Sequence, residues 1–122
     1  MPSYVRVYTG DDGKSHIEDF QPPFEPFVDT EGAHGVGTPM ENASGFTIRR
    51  SAPDYFLDYH TAPRRQYTVT LSGQIEVSTG DGTVRRCGPG DVLLAEDLTG
   101  QGHITRVVGG EPRVYLVIPL AD

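Results

Sequence analysis

The chain has 122 residues, ten of them Lys or Arg and seventeen Asp or Glu, for a net charge of −7. That length suits one domain, read over 1–122, with a hydrophobic core that needs no disulfide or zinc staple. The acidic balance repels polyanions on average, which excludes nucleic acid and anionic membrane surfaces from the expected partners. A local basic cluster can still serve one small anion, because near neighbours set the field inside a pocket.

Fifteen glycines, ten prolines and 36% hydrophobic residues describe a turn-rich globular chain. The single cysteine, Cys87, has no partner for an intramolecular disulfide. Met1-Pro2-Ser3-Tyr4 lacks the basic-then-apolar opening of a secretory signal, and no apolar run nears the roughly 20 residues that span a bilayer. A cytoplasmic location is therefore expected. Cys87 follows Arg85 and Arg86, which can lower a thiol pKa, but no base accompanies it and it reads as a small strand residue beside a turn.

The elements follow from period-2 alternation and turn residues. Tyr4 to Tyr8 and Ser15 to Phe20 alternate as strands before Gln21-Pro22-Pro23-Phe24-Glu25-Pro26 imposes an extended stretch. Residues 29–45, rich in glycine and without a sustained apolar pattern, read as a long loop over the barrel that can cover a site. Strands are then expected at Phe46 to Arg50, Tyr55 to His60, Gln66 to Leu71, Gln74 to Ser78, Thr83 to Cys87, Asp91 to Glu96, His103 to Val108 and Arg113 to Ile118. Ser72-Gly73 and Asp81-Gly82 are hairpin signals, and Pro89-Gly90 fits a type II turn. No segment holds a helical period, so the expectation is an all-β sandwich or barrel, most simply a jelly roll.

The stretch from His60 to His103 resembles the two-motif signature of the cupin superfamily. The first motif, His-x-His, a short spacer, Glu, six residues and Gly, is matched by His60-Thr61-Ala62, Pro63-Arg64-Arg65, Gln66 and Gly73, with Ala62 and Gln66 replacing the second His and the Glu. The second, Gly, five residues, Pro-x-Gly, two residues and His, is matched by Gly90, Leu98-Thr99-Gly100, Gln101-Gly102 and His103, with a longer connection and Leu for Pro. The wording is similar to that of small single-domain bacterial cupins. The resemblance implies a double-stranded β-helix, a jelly-roll barrel with an internal pocket, and a homodimer paired through sheets. It implies nothing about which chemistry, since the family spans many reactions.

Strand parity gives the pocket contents. His60 inward brings Asp58 and Phe56. Gln66 inward brings Thr68 and Thr70 and leaves Tyr67, Val69 and Leu71 outside, while His103 brings Thr105 and Val107. Three functions fit this polar interior. In the first, His60, Gln66 and His103 bind one divalent ion (Fe, Mn, Ni, Cu or Zn), as in a metal-dependent dioxygenase; the set lacks an imidazole and a charge relative to the family's ligands. In the second, no metal is needed: His60 or His103 moves a proton, assisted by Glu96, Asp58 or Tyr55, as an isomerase or lyase. In the third, the pocket binds a small molecule without chemistry. Arg64 and Arg65 beside Gln66 either hold a substrate carboxylate or phosphate or are solvated turn charges. His16 and His34 read as surface residues. The acid–base enzyme acting on a small polar or acidic metabolite leads, with His60, His103 and Glu96 as catalytic residues and Arg64, Arg65, Gln66, Tyr55 and Asp58 against substrate.

Overall fold

In a computed structural model describing residues 2–122, the chain forms twelve strands and, among the described residues, no helix. They are β1 (Tyr4–Thr9), β2 (Ser15–Asp19), β3 (Glu25–Val28), β4 (His34–Gly37), β5 (Thr47–Ser51), β6 (Phe56–His60), β7 (Gln66–Ser72), β8 (Gln74–Ser78), β9 (Val84–Cys87), β10 (Val92–Ala95), β11 (His103–Val108) and β12 (Arg113–Pro119). Among the described residues no helix is thus long and apolar enough to cross a membrane. A six-stranded sheet runs β2-β1-β10-β7-β12-β5 and a four-stranded sheet runs β6-β11-β8-β9. Between them lies a core of Val5, Val7, Ile75, Val77, Cys87, Leu93 and Val107. Each such side chain contributes about 1.5–3 kcal/mol on burial. Burial raises the Cys87 thiol pKa, so the cysteine is a packing residue, as its place beside a turn implies.

Turn chemistry explains most connections. The Asp91 N–H donates to Gly88 O at 3.0 Å, and Gly90 has φ +87°, the type II turn expected at Pro89-Gly90. Asp81-Gly82 closes the β8–β9 hairpin with Gly82 at φ +89°. Ser72-Gly73 does not make a hairpin. Its strands, β7 and β8, belong to different sheets, and Gly73 turns a corner where a Cβ would lie 2.3 Å from Pro112 O.

Residues 29–45 are not the covering loop expected. Within them β4 pairs with β3 as a separate two-stranded hairpin, and the segment that follows lies against the outer face of the six-stranded sheet. The reason is local: Glu25 to Val28 and His34 to Gly37 pair around a turn in which the Asp29 N–H donates to Ala33 O at 2.7 Å. None of these residues lines the internal cavity.

Candidate active site

An internal cavity of about 220 Å³ opens between the two sheets. Alternation places its walls: Gln66 and Thr68 from β7, Leu93 and Ala95 from β10, Arg113, Tyr115 and Val117 from β12, and His103 and Thr105 from β11. The four motif positions, His60, Ala62, Gln66 and His103, all lie on this wall, and Tyr67 lies outside as parity requires. A larger groove of about 600 Å³ lies on the outer face, bounded by Tyr4, Phe20, Phe24 and Tyr67. Its walls hold no histidine, so acid–base chemistry points to the smaller internal cavity.

His103 is 5% exposed, and its Nδ1 lies 2.6 Å from Oδ2 of Asp97, itself fully buried. A carboxylate only accepts, so Nδ1 carries the proton, and in the neutral ring Nε2 keeps its lone pair. The Ser15 hydroxyl donates to the same Oδ2 at 2.6 Å, while Asp97 Oδ1 is buried without a hydrogen-bond partner. The Ala62 N–H donates to the Asp97 backbone carbonyl at 3.0 Å, fixing the turn after β10 against the end of β6.

His60 faces His103 with ring centroids 4.3 Å apart. Its Nδ1 donates to the Asp58 backbone carbonyl at 2.8 Å, which leaves Nε2 bare here too. Burial lowers the His60 pKa, and the neighbouring His103 lowers it further against the raising effect of the Asp58 carbonyl. At neutral pH the ring is therefore an uncharged acceptor.

Parity fails at β6. His103 pairs with His60 but Thr105 pairs with Leu57, so two steps along β11 span three along β6. This bulge puts Leu57 and His60 on the cavity wall and leaves Asp58 and Phe56 exposed, contrary to the expected alternation. Asp58 offers substrate no side chain and serves through its carbonyl. Gly102 makes the close approach possible: at φ +80° it sits where a Cβ would be 2.1 Å from His60 O.

The structure brings together His60, His103, Gln66 and Tyr55 and separates the remaining expected residues. Glu96 is not on the cavity wall. It pairs outside the barrel with Arg6 (2.5 Å) and Arg65 (2.6 Å). Burial alone would raise its pKa, but the two guanidiniums outweigh burial and hold the carboxyl below its usual range. Arg65 belongs to this outer network, and Arg64 reaches only the Gln66 amide oxygen, at 3.3 Å. His16 binds Asp12 and Asp81 on the surface, and His34 is exposed.

Sequence reasoning missed Asp97 and Arg113. The signal for Asp97 was present: Leu93 and Ala95 face inward, so the next inward position is Asp97 and the outward one is Glu96. Arg113 had a contrary signal. Val114, Leu116 and Ile118 look like the inward set, yet Arg113, Tyr115 and Val117 line the cavity while Leu116 and Ile118 face an outer groove with Phe46.

The donor set suits a resident divalent ion poorly. Two imidazoles and the neutral amide of Gln66 supply no negative charge, the cavity wall has no carboxylate, and a buried guanidinium shares the space. No group of three or more His, Cys, Asp or Glu is placed for a metal among the described residues.

No protein-family model and no curated protein matches the chain by sequence. Solved structures match it by fold. The protein NMB1881 from Neisseria meningitidis is similar over 67% of this chain and 84% of its own at 16% identity, with a TM-score of 0.50. The polyketide cyclase RemF from Streptomyces resistomycificus is similar over 97% of this chain and 75% of its own at 17% identity, with a TM-score of 0.54. The dTDP-6-deoxy-D-glucose-3,5-epimerase RmlC from Legionella pneumophila aligns over 97% of this chain and 73% of its own at 8% identity, with a TM-score of 0.48. At such identities the likeness to the first two speaks for architecture alone, and together with the paired sheets and the motif positions on one cavity wall it gives this chain the cupin-type jelly-roll fold.

Proposed function

We propose that the protein is a small cupin enzyme of the isomerase or lyase type that moves protons on a small polar or acidic metabolite without a resident metal. The supporting observation is the buried Asp97–His103 pair, which fixes the imidazole tautomer and leaves Nε2 free beside an uncharged His60. His103 Nε2 takes a proton from the substrate, and Asp97 stabilises the imidazolium that forms. Tyr55 supplies an O–H donor on the same wall, kept protonated because burial raises its pKa. Ring closure through an enol belongs to the same chemistry, in keeping with a cyclase among the proteins of this fold.

A cytoplasmic location and a homodimer belong to this reading. Phe46 and Ile48 are exposed on and beside edge strand β5, next to Leu116 and Ile118, an apolar outer face that suits a second copy.

The test is a metabolite panel incubated in D₂O with wild type and with His103→Asn, His60→Asn and Tyr55→Phe. Deuterium entering one carbon acid with wild type and lost with His103→Asn supports the reading. A bound ligand that acquires no deuterium favours a binding module instead. Stoichiometric metal in the purified protein that disappears in both His60→Ala and His103→Ala would overturn the metal-free mechanism.

A further inference from the structure

Arg113 opens β12 with 5% exposure, yet no carboxylate pairs with it among the described residues. Arg6, Arg65, Arg85, Arg86 and Arg106, all far more exposed, each hold an acid partner. Arg49, Arg50 and Arg64 also lack an acid partner among the described residues but are exposed, so Arg113 is the guanidinium that is both buried and unneutralised. Its Nε and Nη2 donate to Thr70 Oγ1 at 3.1 and 3.0 Å, and Nη2 also reaches Thr68 Oγ1 at 3.4 Å. Its Cζ stacks 4.0 Å above the Tyr115 ring. Hydroxyls and a π-face orient a cation and partly compensate its lost hydration, but they bring no opposite charge.

The surroundings repeat the pattern. Arg49 and the two histidines share the cavity wall with Arg113, and no Asp or Glu lines it, in a chain whose net charge is −7. Burial draws the Arg113 pKa down to about 10, which still leaves it charged at neutral pH. At about 220 Å³ the cavity is smaller than the ~300–1,000 Å³ typical of drug-sized ligands. One buried guanidinium matches one carboxylate, whereas a phosphate monoester brings a second charge that only the exposed Arg49 would meet.

We propose that Arg113 is the anion-binding residue of the cavity and that the ligand is a small monocarboxylate, its –COO⁻ on the guanidinium and its reacting carbon towards His103. The second half of that statement rests on the proton-transfer reading; the first does not. Arg113 replaces Arg64 and Arg65, which the fold holds outside the cavity wall, as the residue that selects an acidic ligand.

The experiment titrates ¹⁵N-labelled protein with acetate, pyruvate, inorganic phosphate and neutral acetamide, following the Arg113 Nε–H resonance. Wild type should shift that resonance with the carboxylates and not with acetamide. Arg113→Gln should weaken carboxylate binding roughly 10–100-fold, the loss expected for hydrogen bonds to a charged partner. Arg113→Lys, which keeps the charge without the planar guanidinium and its Thr70 hydrogen bonds, should fall between, and it serves if Arg113→Gln does not fold. His103→Asn should bind carboxylates within about threefold of wild type while losing deuterium exchange. Equal carboxylate binding by Arg113→Gln, acetamide competing as well as acetate, or phosphate binding more tightly than either carboxylate would each overturn the proposal. Anion selectivity without deuterium exchange into any bound carboxylate would sink the proton-transfer reading and leave the anion site standing.

Discussion

Oδ2 of Asp97 accepts from both the His103 imidazole and the Ser15 hydroxyl, each at 2.6 Å, so one oxygen orients the candidate base and ties it to β2. Asp97→Asn should remove that preference, because an amide can present N–H to Nδ1 and move the imidazole proton to Nε2. Long-range ¹H–¹⁵N correlation should show His103 protonated at Nδ1 in wild type and redistributed in the variant. Asp97→Ala should cost about 3 kcal/mol in urea melts, for the loss of two hydrogen bonds to a charged acceptor. An unchanged tautomer in Asp97→Asn would remove Asp97 from the mechanism.

His60 makes stability depend on pH. Its folded pKa lies below the ordinary histidine value, chiefly through burial, so between those two values the unfolded chain binds a proton that the folded chain refuses. Stability from this residue is full above the unfolded value and falls as pH drops towards the folded one. Surface His16 works in the opposite sense, because Asp12 and then Asp81 raise its pKa against desolvation. Comparing wild type with His60→Gln therefore isolates the buried ring: the loss of stability from pH 7.5 to 5.5 should be smaller in the variant. An equal loss would mean that His60 is not held neutral.

Gly102→Ala should disturb the site and Gly82→Ala should not. Both glycines have positive φ, +80° and +89°, but only at Gly102 would a Cβ meet backbone, 2.1 Å from His60 O. The Gly82 variant should lose about 1 kcal/mol of stability from backbone strain, and the Gly102 variant clearly more. In Gly102→Ala the His60 and His103 ring resonances should also move. Rings that stay in place would show that β6 and β11 can separate freely.

Glu96→Gln should leave the His103 tautomer and carboxylate binding as in wild type. Its partners Arg6 and Arg65 are about one-third exposed, so water screens the pairs and the stability cost should stay near 1 kcal/mol or below. Loss of ligand binding in this variant would restore Glu96 to the site.

Sedimentation velocity should show a dimer for wild type and a monomer for Ile48→Glu, which puts a charge on the exposed apolar face beside Phe46. A wild-type monomer at micromolar concentration would remove the homodimer from the reading.

Local chemistry made much of this architecture legible in the sequence. β8 and β11 begin and end where alternation and turn residues put them, and Gln66, Thr68 and Thr70 face away from Tyr67 as a regular strand requires. What escaped were features set by other chains of contact. The β6 bulge is a mismatch with β11, invisible in β6 alone. The β3–β4 hairpin joins short segments with no buried face to give them a pattern. Arg113 is inward because β12 turns its more apolar side to the outer surface, where hydrophobicity points the wrong way unless another surface covers it.

Asp97 joins segments far apart along the chain: its carboxylate accepts from Ser15, 82 residues away, and its backbone carbonyl accepts from the Ala62 amide just after β6. Such a junction closes only after distant strands have met, and bringing them together is the slow part of forming a β-barrel. A nascent or partly assembled chain therefore presents an ordinary histidine rather than an oriented base. On the proton-transfer reading, reactivity would be withheld until the barrel is complete, and a chain that has not finished folding would not act on the metabolites around it.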